Sequence, residues 1–156
     1  MSERIIAGAC PDALAGIAAG SVDAVVTSPP YYVLRSYEGV EGSVWADGWR
    51  GVLGMEATPD LYIAHLAGIM HECRRVLKPT GTLWVNIGDC HAGGGRARGQ
   101  EGDALSEKQQ TNAASQGLSP EWGQIGLKDK SLLLMPARLA LALQADGWDL
   151  RSRIPW

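Results

Sequence analysis

The residues best suited to chemistry are Ser28-Pro29-Pro30-Tyr31, which follow directly on the apolar run Val22-Asp23-Ala24-Val25-Val26-Thr27. Neither proline has an N–H and both hold φ near −65°, so a strand entering this tetrapeptide cannot continue its ladder. The spacing therefore predicts a strand over 22–27 that stops in a stiff, extended turn. Open α/β sheets bind ligands at the carboxyl ends of their strands. A hydroxyl, outward carbonyls and an aromatic ring fixed at such an edge would suit a planar ligand bearing an amine, such as a nucleobase.

Other groups with chemical potential are more ambiguous. Asp89 ends an apolar run and either lines a pocket or caps a turn. Arg96 and Arg98 in a glycine-rich segment, and Arg151 and Arg153 near the end of the chain, are either phosphate contacts or solvated charges. His71-Glu72-Cys73 and Asp89-Cys90-His91 offer metal-ligating types. However, His71 and Cys73 lie two apart on an expected helix and face different directions, which favours core and surface roles. Gly93-Gly94-Gly95 lacks a following helix and a Lys-Ser/Thr pair, so it is not read as a phosphate cradle.

The elements that must position these groups follow from periodicity. Arg4–Ala7 reads as a short strand. Pro11–Ala19 reads as a helix with proline in its first turn and Gly20 at its end. With the strand over 22–27 this makes a strand-helix-strand unit, the pattern of a parallel crossover. Residues 32–58 are glycine-rich, contain Trp45 and Trp49, and read as a long loop. Thr58-Pro59-Asp60 starts a helix whose apolar positions recur at steps of three and four until Lys78-Pro79. Thr80-Gly81 then reads as a turn into Thr82–Asp89, a strand apolar enough to be buried on both faces. Residues 91–126 read as a flexible, polar, glycine-rich insertion. A helix over Leu132–Gln144, exiting at Asp146-Gly147, and a strand over Asp149–Ile154 complete the pattern. It predicts an α/β fold with a mostly parallel sheet.

Bulk properties narrow the class. The chain has 156 residues, 46% of them apolar, enough for one domain. Its formal charge of −3 and pI of about 5.6 carry no signature of a polyanionic partner, so any nucleic-acid contact must be local. Phenylalanine is absent, so the core must rest on Leu, Val, Ile and Ala, with Trp and Tyr in support. Three dispersed cysteines, Cys10, Cys73 and Cys90, and an N-terminus without an apolar signal segment fit a cytoplasmic setting. No window is apolar enough to span a bilayer.

Taken in order, several segments resemble the DNA amino-methyltransferases, which methylate the exocyclic amine of adenine or cytosine with S-adenosylmethionine. They are Gly20-Ser21-Val22-Asp23 leading into Thr27-Ser28-Pro29-Pro30-Tyr31, Leu77-Lys78-Pro79-Thr80-Gly81-Thr82-Leu83-Trp84, Asn86-Ile87-Gly88-Asp89, and Ala142-Leu143-Gln144-Ala145-Asp146-Gly147-Trp148 with Leu150-Arg151-Ser152. The resemblance covers nearly the whole chain, in the order that places the catalytic half before the cofactor half. It implies a partial Rossmann-like sheet with helices on both faces, and double-stranded DNA from which the target base is flipped. Ser28 and the Pro29 carbonyl would accept hydrogen bonds from the target amine, with Pro30 shaping the turn and Tyr31 stacking on the base. Tyr32, Asp89, Arg96, Arg98 and Arg151 would contact substrate. Thr27, Gly8 and Asp12 would lie toward the cofactor. Serine in the first position leans slightly toward cytosine-N4 over adenine-N6.

Two features depart from the family. The Phe-x-Gly-x-Gly loop that cradles the cofactor is missing, and Gly8-Ala9-Cys10 stands where relatives have Gly-Asp; an alanine cannot accept the adenine's hydrogen bond. The expectation is a single, incomplete catalytic domain over 1–156. A complementing C-terminal half or a homodimer would then cover its open edge. The alternative is a non-catalytic remnant or binding subunit.

Overall fold

The computed structural model describes residues 3–34, 40–93 and 126–155. In chain order its elements are α1 (Cys10–Ala15), β1 (Val22–Thr27), β2 (Ser43–Val44), β3 (Arg50–Gly51), α2 (Pro59–Val76), β4 (Leu77–Val85) and α3 (Met135–Ala145). β1 and β4 pair in parallel, and β2 and β3 form a small antiparallel hairpin. The architecture is mixed α/β, built around a parallel strand pair.

The centre of the fold is α2, and its limits follow from local chemistry. Thr58 has an extended backbone, and its Oγ1 accepts the Leu61 N–H at 3.2 Å. Pro59 sits where its missing N–H costs nothing, while Asp60 in the first turn and Arg74 and Arg75 in the last complement the helix dipole. Tyr62, Leu66, Ile69, Met70 and Cys73 recur at helical spacing and are buried. They pack with Met135, Leu139 and Leu143 of α3 into one core, which Leu83, Val85 and Val25 of the strands join. Thr58→Ala should destabilise the fold by about 1 kcal/mol, read as a lower urea midpoint at unchanged slope.

The structure corrects several sequence expectations. Residues 4–7 form no strand and Ile5 is exposed. α1 ends at Ala15 with Gly16 as its C-cap, so Gly20 does not close it. Gly20 instead turns the chain at φ 64°, its N–H donating to the Arg75 carbonyl at 3.1 Å. Lys78-Pro79-Thr80-Gly81 neither ends α2 nor forms a separate turn. These residues lie inside β4 as a register irregularity: Val22 pairs with Leu77, but Ala24 pairs with Thr82. Two features account for this irregularity: Pro79 has no N–H to give the ladder, and a Cβ on Gly81 would stand 3.2 Å from the Asp23 carbonyl oxygen.

β4 is also not buried on both faces. Trp84 is 55% exposed beside its register partner Val26, 79% exposed, because only the opposite face meets α2. α3 starts at Met135 rather than Leu132, and residues 149–154 form no strand. The loop expected over 32–58 contains the β2–β3 hairpin.

Most of the expected insertion over 91–126, including Arg96 and Arg98, lies outside the described residues. Its two ends are joined: His91 bridges Leu132, the Ala92 N–H donates to the Ser131 carbonyl at 2.8 Å, and the Leu133 N–H donates to the Cys90 carbonyl at 2.9 Å. No helix among the described residues is long and apolar enough to cross a membrane.

Candidate functional site

The Ser28–Tyr31 turn leaves the C-terminal end of β1, where the Thr27 carbonyl accepts the Asn86 N–H at 2.9 Å. Beyond that point the backbone acceptors divide. The Pro30 carbonyl accepts the Tyr62 hydroxyl at 2.8 Å, and the Tyr31 carbonyl accepts the Leu34 N–H at 3.4 Å. Among the described residues, nothing engages the Ser28 hydroxyl or the Pro29 carbonyl. Ser28 is exposed, Pro29 is buried, and Pro30 and Tyr31 are half-buried. An acceptor pair thus stands uncommitted on a turn whose other carbonyls are tied down.

The ring of Tyr31 rests against Gly88, where a Cβ would lie 2.7 Å from Cε2 and 3.0 Å from Cδ2. Its hydroxyl makes a long donation, 3.4 Å, to Asn86 Oδ1. This explains the segment Asn86-Ile87-Gly88-Asp89 residue by residue: Asn86 meets the ring's hydroxyl, Ile87 packs on the core and Gly88 leaves room for the ring. Asp89 Oδ1 accepts the N–H groups of Cys90 at 2.9 Å and Met135 at 3.0 Å. Of the two roles open to Asp89, the structure shows the capping one. The N-cap of α3 is Leu134, a left-handed residue with φ 58° whose side chain cannot cap, and Asp89 supplies the missing acceptor from a distant position.

The other expected site residues fall as follows. Tyr32 is buried in the core, its ring centroid 5.3 Å from that of Tyr62. Arg151 is exposed, and no hydrogen bond or ion pair among the described residues links it to the turn. Gly8 takes φ 153°, and Asp12 lies in the first turn of α1. Neither lines the nearby concavity of about 140 Å³, which is bordered by Ala9, Cys10, Pro11, Trp45, Val52 and Ile69. None of Ser28–Tyr31 borders it. Thr27 pairs with Val85 at the strand end.

Sequence reasoning missed three contributors. Tyr62 and His65, three apart on α2, face the turn and the loop after it. Burial first, and the Glu56 carboxylate second, push the Tyr62 phenol up, so it remains a hydroxyl donor to Pro30. Glu56 is 1% exposed. A His on the apolar stripe of α2 was the available signal: a buried imidazole needs polar partners, and those partners lie in the loop.

Two of the three thiols are held in the protonated form. Burial, then the charge of Asp89, pushes Cys90 up to about 11; burial likewise takes Cys73 up to about 11. Both stay protonated at neutral pH.

The DNA methylase family matches residues 22–156 of this chain. The type II methyltransferase M.SmaI of Serratia marcescens is 41% identical over 158 residues, covering 98% of this chain and 47% of the relative. M.XycI of Xanthomonas campestris pv. cyanopsidis is 42% identical over 137 residues, covering 88% and 40% respectively. M.SfiI of Streptomyces fimbriatus is 37% identical over 145 residues, covering 93% and 28%. The chain therefore spans about half the length, or less, of the curated relatives it matches. No solved structure matches it.

Proposed function

The chain belongs to the DNA methylase family, and from that premise we propose that Ser28-Pro29-Pro30-Tyr31 is the grip that holds the exocyclic amine of a flipped DNA base for methylation. The observation that carries this reading is the division of acceptors on the turn. The Thr27, Pro30 and Tyr31 carbonyls are committed within the protein. The Ser28 hydroxyl and the Pro29 carbonyl are the acceptors the chemistry requires.

An exocyclic amine is a poor nucleophile because its lone pair is delocalised into the ring. Two acceptors aimed at its N–H bonds would draw the nitrogen toward a tetrahedral geometry and free the lone pair to displace a methyl group from a sulfonium donor, the methyl–sulfur bond breaking to leave a thioether and the nitrogen losing its surplus proton to solvent. The acceleration comes from orientation and preorganised dipoles, without a covalent enzyme intermediate. Tyr31 stacks on the extruded base, a sequence-tolerant contact worth roughly 1–3 kcal/mol. Ser28 in the first position leans the substrate toward cytosine-N4 over adenine-N6.

The methyl donor of this reading is S-adenosylmethionine. The described residues do not make a whole site for it. The concavity beside Ala9 and Cys10 holds about 140 Å³, below the range of about 300–1,000 Å³ usual for small-molecule sites. Ala9 also has no side-chain acceptor. The steps above therefore belong to the base grip alone. Thr27, Gly8 and Asp12 are proposed only to border the cofactor.

In this reading the parallel pair β1–β4 is part of a larger Rossmann-like sheet, and the chain is one incomplete catalytic domain. The exposed pair Val26 and Trp84 supports a complementing half or a second copy on that face. Ala9 favours a second reading, a non-catalytic remnant or binding subunit. Calorimetric titration separates them: micromolar binding of S-adenosylmethionine by these residues alone counts against the remnant.

The reading is tested by incubating the full-length protein with duplex DNA and methyl-labelled S-adenosylmethionine, then digesting the DNA to nucleosides. Label is expected in N4-methylcytosine. Label in N6-methyladenine would overturn the cytosine preference, and label confined to C5 of cytosine would overturn the amine grip itself.

A further inference from the structure

The turn is strained at its exit. Val33 is β-branched yet takes φ 50°, in the left-handed region. Such a conformation persists only where its surroundings over-determine it. Those surroundings are specific: the Val33 N–H donates to the Gly54 carbonyl at 2.7 Å. Gly54 itself takes φ 95°, and a Cβ there would stand 3.0 Å from the Tyr31 carbonyl oxygen and 3.4 Å from Pro30 Cβ. Gly54 is thus pressed against the turn and bonded to its exit.

Gly54 is in turn held by Glu56. Glu56 Oε2 accepts the Gly54 N–H at 2.8 Å in a buried setting. The other oxygen, Oε1, lies 3.0 Å from His65 Nδ1, and His65 Nε2 lies 3.1 Å from Asp47 Oδ2. The imidazole stacks on two indoles, Trp45 at 4.3 Å and 21° and Trp49 at 5.1 Å and 26°, whose own centroids are 6.2 Å apart. Asp47 Oδ1 accepts the Trp49 N–H at 2.9 Å, and that bond, with His65 behind it, holds the Asp47 carboxyl below its ordinary value. Every polar atom of the Glu56 and His65 side chains therefore has a defined partner, and contact with the two indoles orients the imidazole plane.

We propose that Glu56, anchored by His65 and the indoles of Trp45 and Trp49 stacked on it, is a positioning residue for the Pro30–Tyr31 turn, acting through the backbone of Gly54. The inference rests on the turn being the amine grip. One helix then holds the grip twice: Tyr62 of α2 bonds the Pro30 carbonyl directly, and His65, three residues further along, holds the turn through Glu56 and Gly54. Gross loosening of such a clamp shifts the Ser28 and Pro29 acceptors relative to the amine. An error near 1 Å in that geometry costs about 10²-fold in rate.

The test combines kinetics with hydrogen exchange on the full-length protein. Glu56→Ala is expected to lower kcat by about 10–100-fold while the KM for DNA stays within about twofold, because the Glu56 side chain is buried. Glu56→Gln keeps an acceptor for the Gly54 N–H and should stay within about threefold of wild type. The amides of Gly54 and Val33 should exchange faster in Glu56→Ala than in Glu56→Gln. Wild-type kcat in Glu56→Ala would overturn the inference. So would equal impairment in Glu56→Gln, or faster exchange spread evenly over α2 and α3, the mark of general loosening. His65→Leu keeps an apolar side chain against the indoles without ring nitrogens and carries the same kinetic test if Glu56→Ala does not fold. Inactive Ser28→Ala beside fully active Glu56→Ala refutes this inference alone; fully active Ser28→Ala refutes the grip beneath it.

Discussion

Ser28→Ala is expected to slow methyl transfer by about 10²-fold or more, the usual cost of deleting one preorganised polar group at a reacting centre. The substitution removes one of the two acceptors that face the amine, so the nitrogen's lone pair stays in conjugation with the ring. Among the described residues no acceptor stands ready to compensate, because the neighbouring carbonyls of Thr27, Pro30 and Tyr31 are already bonded within the protein. The same geometry predicts an intact fold. Ser28 is exposed and its hydroxyl supports no other described residue, so stability should change by less than about 0.5 kcal/mol. Unchanged circular dichroism and urea midpoint, alongside lost turnover, would distinguish this from a folding defect.

Gly88→Ala is expected to act almost as strongly from outside the tetrapeptide. Its Cβ would stand 2.7 Å and 3.0 Å from two carbons of the Tyr31 ring, closer than van der Waals contact allows. The ring is the group the new Cβ meets, and moving it breaks its contact with Asn86 and displaces the surface on which the base would stack. We expect a fall of about 10–100-fold in methyl transfer and a stability loss of about 1–3 kcal/mol from overpacking. Gly68→Ala is the matched control. Gly68 lies in α2 with open space where its Cβ would go, so this change should leave transfer unaltered and stabilise the helix by about 1 kcal/mol. Single-turnover rates and denaturation curves for the pair read both effects.

The parts of the site visible in the sequence were those set by local rules. Two prolines end β1 where they must, and Thr58-Pro59 starts α2 where a cap and a first-turn proline predict it. The parts not visible depend on contacts between distant residues. Nothing near Asp89 in the chain shows that its carboxylate will cap α3, because the need arises 46 residues away at Met135. Lys78-Pro79-Thr80-Gly81 carries strong turn signals, yet pairing with β1 absorbs them as a bulge inside β4. Local punctuation lost there to tertiary pairing. Tyr62, His65 and Glu56 were hidden for a related reason: a helix stripe shows which residues are buried, while the loop that partners them has no periodicity to read. The exposed Trp84 shows the reverse case, where an apolar run predicts burial on two faces and the described strands cover one.

The most direct test of the amine grip is single-turnover methyl transfer by Ser28→Ala in the full-length protein, at saturating duplex DNA and S-adenosylmethionine, with DNA affinity measured on the same preparation. A rate lowered by about 10²-fold with DNA binding within about twofold of wild type is the predicted result. A rate near that of wild type would contradict it, because the turn would then not be drawing the target amine's hydrogens.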